Sequence, residues 1–356
     1  MQSERRPRLT PAIADVRRAV RARLPDHGLV LVGLSGGADS LALAAATAFE
    51  APRAGLRAGA VIVDHGLQTG SSAVADRAAG QARALGLDPV LVLPVRVPDG
   101  ADGPEAQART ARYAAFDRAR ADTGAAWVLL GHTLDDQAET VLLGLARGSG
   151  PTSLHGMASV AGPYLRPLLG IRRDQTRQFC RDAALEPWQD PQNHDPRYAR
   201  VRARLTVLPT LEHELGPGVA QALARTAEQL REDADALDAL VPALLAAALL
   251  ATDAATAPRK TYPAAQAPQA TPVTHRDPPV RLSAAALAGQ PAALRQRMIR
   301  LLVAEHFGVT LSRSHTLAVA DLVTNWHGQG ATDLAGVRVG RHSGELVFSA
   351  TAQTPI

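Results

Sequence analysis

Four short aliphatic runs punctuate the first 150 residues: GLVLVGLS (28–35), GAVIVDHG (59–66), DPVLVLPV (88–95) and AWVLLGH (126–132). Each leads into a longer stretch with helical spacing: SLALAAATAFE (40–50), SSAVADRAAGQARALG (71–86), EAQARTARYAAFDRARADTG (105–124) and LDDQAETVLLGLARG (134–148). Strands that are apolar on both faces and alternate with helices predict an α/β fold, a doubly wound parallel sheet with helices on both sides.

The pattern then changes. A helix is expected over RRDQTRQFCRDAAL (172–185), followed by the loop PWQDPQNHDP (187–196) and an arginine-rich run into Pro209. The long segment 219–250 has a polar first half and an apolar second half, as a helix does when it connects and then docks. A boundary near Leu215 to Gly218 divides the chain into a catalytic domain, 1–215, and a smaller, mostly helical domain, 216–356. Six prolines within 251–279, with little to bury, mark 251–280 as a flexible insertion. Helices over 293–308 and 314–328 and two short strands over 336–350 complete the pattern.

With 46% hydrophobic and 20% charged residues the composition is that of a globular protein. No apolar run reaches the roughly 18 residues of a membrane span, so no membrane partner is expected. The N-terminal segment has charge but no apolar core or small-residue cleavage site, which predicts a cytoplasmic location. The single cysteine, Cys180, excludes an internal disulfide, a CxxC redox pair and a cysteine-based metal cluster. The sequence pI is about 9.8. Between Arg166 and Arg204 nine arginines face five acids, a surplus of four that equals the chain's net charge of +4. Such a focused basic band favours a polyanionic partner.

The strand LVLVGL runs directly into SGGADS, Ser35 to Ser40, where a helix opens. Gly36 and Gly37 let the backbone turn close to a ligand, Ser35 and Ser40 add hydroxyls, and Ala38 and Asp39 begin a helix whose free N–H groups suit a pyrophosphate. A carboxylate in an anion site makes sense if Asp39 holds a magnesium ion that bridges phosphates. The loop is neither GxxxxGK[ST] nor GxGxxG, which disfavours a P-loop phosphotransferase and a dinucleotide dehydrogenase. Downstream, GHTLDDQAET places Asp136 and Glu139 three apart on a helix, a clustering that calls for magnesium, through Asp136, or an ammonium ion. Arg109 and Arg112, also three apart, are placed to clamp a phosphate or a carboxylate, and His132 to orient a phosphate or carry a proton.

SGGADS after a first strand resembles the signature of the N-type ATP pyrophosphatases, which split ATP into AMP and pyrophosphate. VIVDHGL (61–67), EAQARTARY (105–113), GHTLDDQAET (131–140), LARGSGPTSLHGM (145–157), LRPLLGIRR (165–173) and DPQNHDPRYARVRARLTVLP (190–209), in that order, resemble the tRNA(Ile)-lysidine synthetase family. Thr133 departs from the family, where a second histidine is common, as does RVRAR, where RNRIR is usual. The resemblance does not extend to the further C-terminal domain of longer members, so a smaller surface is expected to grip tRNA. It implies ligation of L-lysine to the wobble cytidine of tRNA(Ile) with a CAU anticodon, driven by ATP with Mg2+. Residues 35 to 40 would bind pyrophosphate, Asp39 magnesium, and Asp136 with Glu139 either magnesium or the lysine ammonium. Rival readings are a 2-thiolation enzyme, an amidating synthetase and a non-catalytic nucleotide sensor. The oligomeric state, a homodimer included, is left open by the sequence.

Overall fold

The computed structural model describes residues 9–66, 70–96, 104–148, 153–249, 279–334 and 336–351. The expected insertion at 251–280 therefore lies almost wholly outside the described residues. Two compact units divide the chain, Met1–Leu230 and Arg231–Ile356. The division falls inside a helix, Val219–Ala248, some fifteen residues beyond the boundary expected from the sequence.

In the first unit, β1 (Leu29–Gly33), β2 (Arg57–Asp64), β3 (Val90–Pro94), β4 (Trp127–Leu130), β5 (Val160–Ala161) and β6 (Tyr164–Leu165) form one sheet in the order β3-β2-β1-β4-β6-β5. All pairings are parallel except the edge pair β5–β6. Alternate residues of a strand point to opposite faces, and β1 shows it. Val30 and Val32 pack with Val16 of α1 (Pro11–Arg21), Leu41 of α2 (Ala38–Glu50), Ala78 of α3 (Ser71–Ala84) and Phe179 of a later helix. Leu29 and Leu31 pack on the other face with Phe116 and Ala119 of α4 (Pro104–Thr123). Both faces are covered, as continuous apolar strands require. The chain leaves β1 toward β2 and β3 on one side and returns to β4 on the other. Ligands of open α/β sheets bind at such a reversal, outside the carboxyl ends of the strands.

Those carboxyl ends lead into α2 and into α5 (Leu134–Ala146). Then come α6 (Arg173–Asp182), the short α7 (Ala199–Arg202), a π-helical turn over Ala203–Val207, α8 (Leu208–Glu214) and the long α9 (Val219–Ala248). Helix α1 was not signalled by the sequence pattern. It buries only Ala12, Val16 and Val20, and Thr10 caps it ahead of Pro11.

The second unit is mostly helical, as expected, and adds two strands to the expected closing pair. Beside α10 (Ala284–Ala288), α11 (Ala292–Phe307) and α12 (Arg313–Thr324) it holds an antiparallel sheet, β7-β10-β9-β8. Strands β9 (Val337–His342) and β10 (Glu345–Ala350) are the expected closing pair, and β7 (Val280–Ser283) and β8 (Thr332–Leu334) flank them. Four and three residues long, the flanking strands are too short to show a period. Leu282, Met298, Leu302, Val319, Val339 and Phe348 are fully buried and join sheet to helices.

Candidate functional site

The loop between β1 and α2 is held open by its own side chains. Ser40 Oγ accepts from the Ser35 backbone N–H at 3.2 Å, lies 3.1 Å from Ser35 Oγ and donates to the Gly37 carbonyl at 3.0 Å. Gly36 has φ +83°, a conformation open to glycine and strained for other residues, and its carbonyl accepts from the Trp188 N–H at 2.9 Å. Gly37 caps α2 without a side-chain hydrogen bond, so the first-turn amides at Ala38, Asp39 and Ser40 keep their donors for an anion. The loop following β4 sits directly against this turn, since a Cβ on Gly131 would lie 3.1 Å from Asp39 and Ser40 backbone atoms. The Ser35–Ser40 residues thus form one cradle at the strand-order reversal.

Behind the cradle stands a network of acids and arginines. Thr133 caps α5, its hydroxyl accepting from the Asp136 N–H, while Asp136 Oδ2 accepts from Thr133 N–H and Oγ1, both at 2.8 Å. Asp136 Oδ1 takes Arg173 Nη2 at 2.7 Å and Arg204 Nη2 at 3.3 Å. Glu139, with no exposed surface, takes Arg173 Nη2 at 3.0 Å and Arg204 Nε at 2.7 Å on Oε1, and Arg204 Nη2 at 3.0 Å on Oε2. Asp135 accepts from the Arg173 backbone N–H at 2.7 Å and faces Arg172 at 3.1 Å. Asp39 accepts from the Thr176 hydroxyl and lies 3.7 Å from Arg173 Nε.

Burial alone would raise the Asp136 carboxyl, but Arg173 and the Thr133 N–H outweigh it and hold the group below the usual carboxylate range. Asp39 goes the other way: burial pushes it up to about 6, with Thr176 opposing and Asp136 adding to the rise. Burial works against the Arg173 charge, and Asp136, Glu139 and Asp39 more than restore it, raising that guanidinium above its ordinary value. Cys180 lies beneath the loop with its thiol 3.5 Å from the Ala38 carbonyl, and burial, then Asp39, push it up to about 12. It is an inert packing residue.

A basic cluster occupies the ends of β2 and β4. Arg112 Nε donates to His65 Nε2 at 3.2 Å. Arg109, one helical turn away, lies over the Tyr113 ring at 5.0 Å, and the Tyr113 hydroxyl also receives Arg166 Nη2 at 3.3 Å. Buried Nδ1 atoms of His65 and His132 have no partner. Burial first, then Arg112, lowers His65 to about 4. His132 is lowered to about 4 by burial, against the pull of Asp136 and with the help of Arg166, Arg109 and Arg200. Both rings are neutral at pH 7.

The structure therefore brings Asp39, Asp136 and Glu139 into one group and sets His132, Arg109 and Arg112 in a second, basic one. It revises the reading of the arginine band. Arg172, Arg173 and Arg204 turn inward to the acids, and Arg166 is buried with its guanidinium on the Ala158 carbonyl at 2.9 Å. Arg177, Arg181, Arg197 and Arg202 stay exposed. Arg173 and Arg204 stand beside the acidic pair, at the place where magnesium or an ammonium ion was expected. Among the described residues no group of three or more His, Cys, Asp and Glu side chains is arranged to hold a metal. Asp39, with a quarter of its side chain accessible and one oxygen clear of Thr176, fits a magnesium ion that draws its remaining ligands from phosphate oxygens. Asp136, its oxygens engaged, does not fit as it stands.

Comparison with known proteins matches these features. Residues 10–211 match the PP-loop domain, an ATP-binding family, and residues 282–347 the TilS substrate binding domain. The chain is 62% identical over 325 residues, 91% of each chain, to a protein of Leifsonia xyli named tRNA(Ile)-lysidine synthase. It is 50% identical over 346 residues, 96% of this chain and 98% of the relative, to one of the same name in Thermobifida fusca. The U34-tRNA thiolase NcsA of Methanococcus maripaludis, solved with its 4Fe-4S cluster, shares the fold at TM-score 0.52 and 21% identity, over 62% of this chain and 80% of its own. By these matches the chain belongs to the tRNA(Ile)-lysidine synthase family.

Proposed function

We propose that the protein joins L-lysine to C2 of the wobble cytidine of a CAU-anticodon tRNA(Ile), converting ATP to AMP and pyrophosphate. The observation that carries this reading is the juxtaposition, at one strand-order reversal, of an anion cradle with buried carboxylates suited to a cation. In the first step the cytidine O2 attacks the α-phosphorus of ATP and pyrophosphate leaves. In the second the free ε-amine attacks C2 and AMP leaves with the former O2. The first-turn amides of α2 and Ser35 receive the pyrophosphate, and Asp39 would hold Mg2+, which would supply neutralising charge for the phosphates. Asp136 and Glu139 receive the ammonium of lysine, and one of them accepts a proton from it. Arg109 and Arg112 neutralise an anionic group, and His132, neutral at pH 7, accepts or donates one hydrogen bond there.

A thiolation reading finds no support in the site, since the chain's one cysteine is buried beneath the loop. The decisive experiment is incorporation of labelled lysine into a tRNA(Ile) transcript with a CAU anticodon, beside a transcript carrying uridine at the wobble position. Transfer to the cytidine transcript alone is expected. No transfer to either, by folded protein that still binds ATP, would overturn the reading.

A further inference from the structure

The assignment of the acidic pair to an incoming ammonium, on which this inference rests, meets an obstacle in the geometry. Asp136 Oδ1 already receives two guanidinium bonds and Oδ2 two bonds from Thr133. Glu139 receives three guanidinium bonds and has no surface of its own. A carboxylate oxygen accepts through two lone pairs, so Asp136 is saturated and Glu139 is sealed. An external cation finds no free lone pair on Asp136 while both arginines remain, so it cannot bridge the pair.

The two arginines are not equally fixed. Arg173 is tied on three sides: its guanidinium reaches Asp39, Asp136 and Glu139, its backbone N–H holds Asp135, and its side chain is 12% exposed. Among the described residues Arg204 binds the pair and, at 3.5 Å, Asn193, and its side chain is 20% exposed. It also rides on the π-helical turn Ala203–Val207. A π-turn holds one residue more than an α-turn, is rare, and concentrates at functional sites. Recasting it as α-helix changes the register by one residue and swings Arg204 about the helix axis. Arg204 and Glu139 themselves border a cavity of about 110 Å³ that is lined as well by Asp135, Arg172, Leu208 and Glu212. A displaced guanidinium finds there both room and a carboxylate, in place of apolar core.

We infer that Arg204 is a displaceable stand-in for the amine substrate: its guanidinium fills the ammonium position on Asp136 and Glu139, and lysine binds by driving it out. Arg204 is thus an affinity-setting residue. It keeps two buried carboxylates paired when the pocket has no lysine, and it demands a cation in exchange, so a neutral amino acid of similar length does not displace it.

The test compares wild type with Arg204→Met, which keeps the length and loses the charge. KM for lysine in tRNA(Ile) modification and Kd for lysine by calorimetry in the presence of MgATP are measured. The stand-in role predicts that both fall about tenfold or more in Arg204→Met, with ATP affinity unchanged. It also predicts that guanidinium ion, added to Arg204→Ala, inhibits competitively against lysine. Unchanged or weaker lysine binding in a folded Arg204→Met that still binds ATP would show a fixed structural pair and overturn the proposal. Should Arg204→Met fail to fold, Arg204→Gln decides: a side chain that can still hydrogen-bond the carboxylates but carries no charge must lower KM for lysine, and an unchanged KM overturns the proposal. Wild type that transfers no lysine at all sinks the functional reading instead, so the two failures are told apart.

Discussion

Arg173 on α6 places its guanidinium 2.7 Å from the Asp136 carboxylate on α5, joining the two helices that frame the candidate site. Each side chain is 12% exposed. Charges taken this far out of water are tolerated only when paired, and removing one partner leaves the other uncompensated. Arg173 serves Asp39, Asp136 and Glu139 together, so it is the keystone of the acidic group, whereas Arg204 adds a second layer.

Arg173→Met is accordingly expected to destabilise the protein by about 3–5 kcal/mol, the usual result of breaking a buried pair from one side. Urea unfolding followed by circular dichroism measures it. A loss below about 1 kcal/mol would mean that Arg204 alone satisfies the acids.

Asp39→Asn separates stability from activity. Burial and the neighbouring Asp136 penalise the charged carboxylate, as its rise to about 6 shows, so a neutral isostere is expected to fold at least as stably as wild type at pH 8. Lysine transfer should fall about 100-fold or more, because the candidate magnesium ligand is gone. A thermal melt and the lysine-incorporation assay on the same preparation check both halves. A stable variant with near-normal turnover would remove Asp39 from the metal assignment.

These two sites also show what the chain announces locally and what it does not. The loop Ser35–Ser40 was legible because its chemistry is consecutive in sequence, two glycines at a strand end opening a helix. Asp136 and Glu139 were legible because helical spacing puts them on one face. Their partners were not. Arg173 lies 37 residues from Asp136, Arg204 lies 65 from Glu139, and Thr176 lies 137 from Asp39. Nothing in the local pattern tells an arginine turned toward an acid from one turned toward water. Counting the whole arginine band as a polyanion surface was the natural reading, and tertiary pairing overrode it for Arg172, Arg173 and Arg204. The fold was legible for a related reason: β1 to β4 are apolar on both faces, while β8 has only three residues to show a period.

Glu50 supplies a pH-dependent prediction. At 2% exposure it accepts from Arg17 Nε at 2.6 Å and Arg21 Nε at 2.7 Å, linking α2 to α1. Arg21 and Arg17, against burial, hold its carboxyl below the ordinary value of 4.5. A carboxyl depressed in the folded state contributes stability above its unfolded value, and loses that contribution as pH falls through the folded value. Glu50→Gln should therefore cost about 3 kcal/mol at pH 7, and the gap from wild type should narrow progressively as pH falls below 4.5. Urea midpoints at pH 7, 5 and 3.5 read it out. A gap that stays constant with pH would mean that the loss is one of packing.

The remaining exposed arginines carry the last prediction. Arg177 on α6 has a side chain 57% exposed, and Arg202 on α7 is exposed with its Nη1 on the Pro196 and Arg197 carbonyls. Neither holds an acid of the buried network, so losing them leaves that network intact. If they contact tRNA phosphates, each releases roughly one counterion on binding, and the log–log dependence of affinity on salt loses about 0.7–0.9 in slope per arginine. Filter binding of tRNA(Ile) to Arg177→Ala, Arg202→Ala from 50 to 300 mM salt should show a slope shallower by about 1.5. Because phosphate contacts carry no sequence information, the same drop is expected for an unrelated tRNA. An unchanged slope would move the tRNA path off this face, while a loss confined to tRNA(Ile) would make these arginines readers of the anticodon loop.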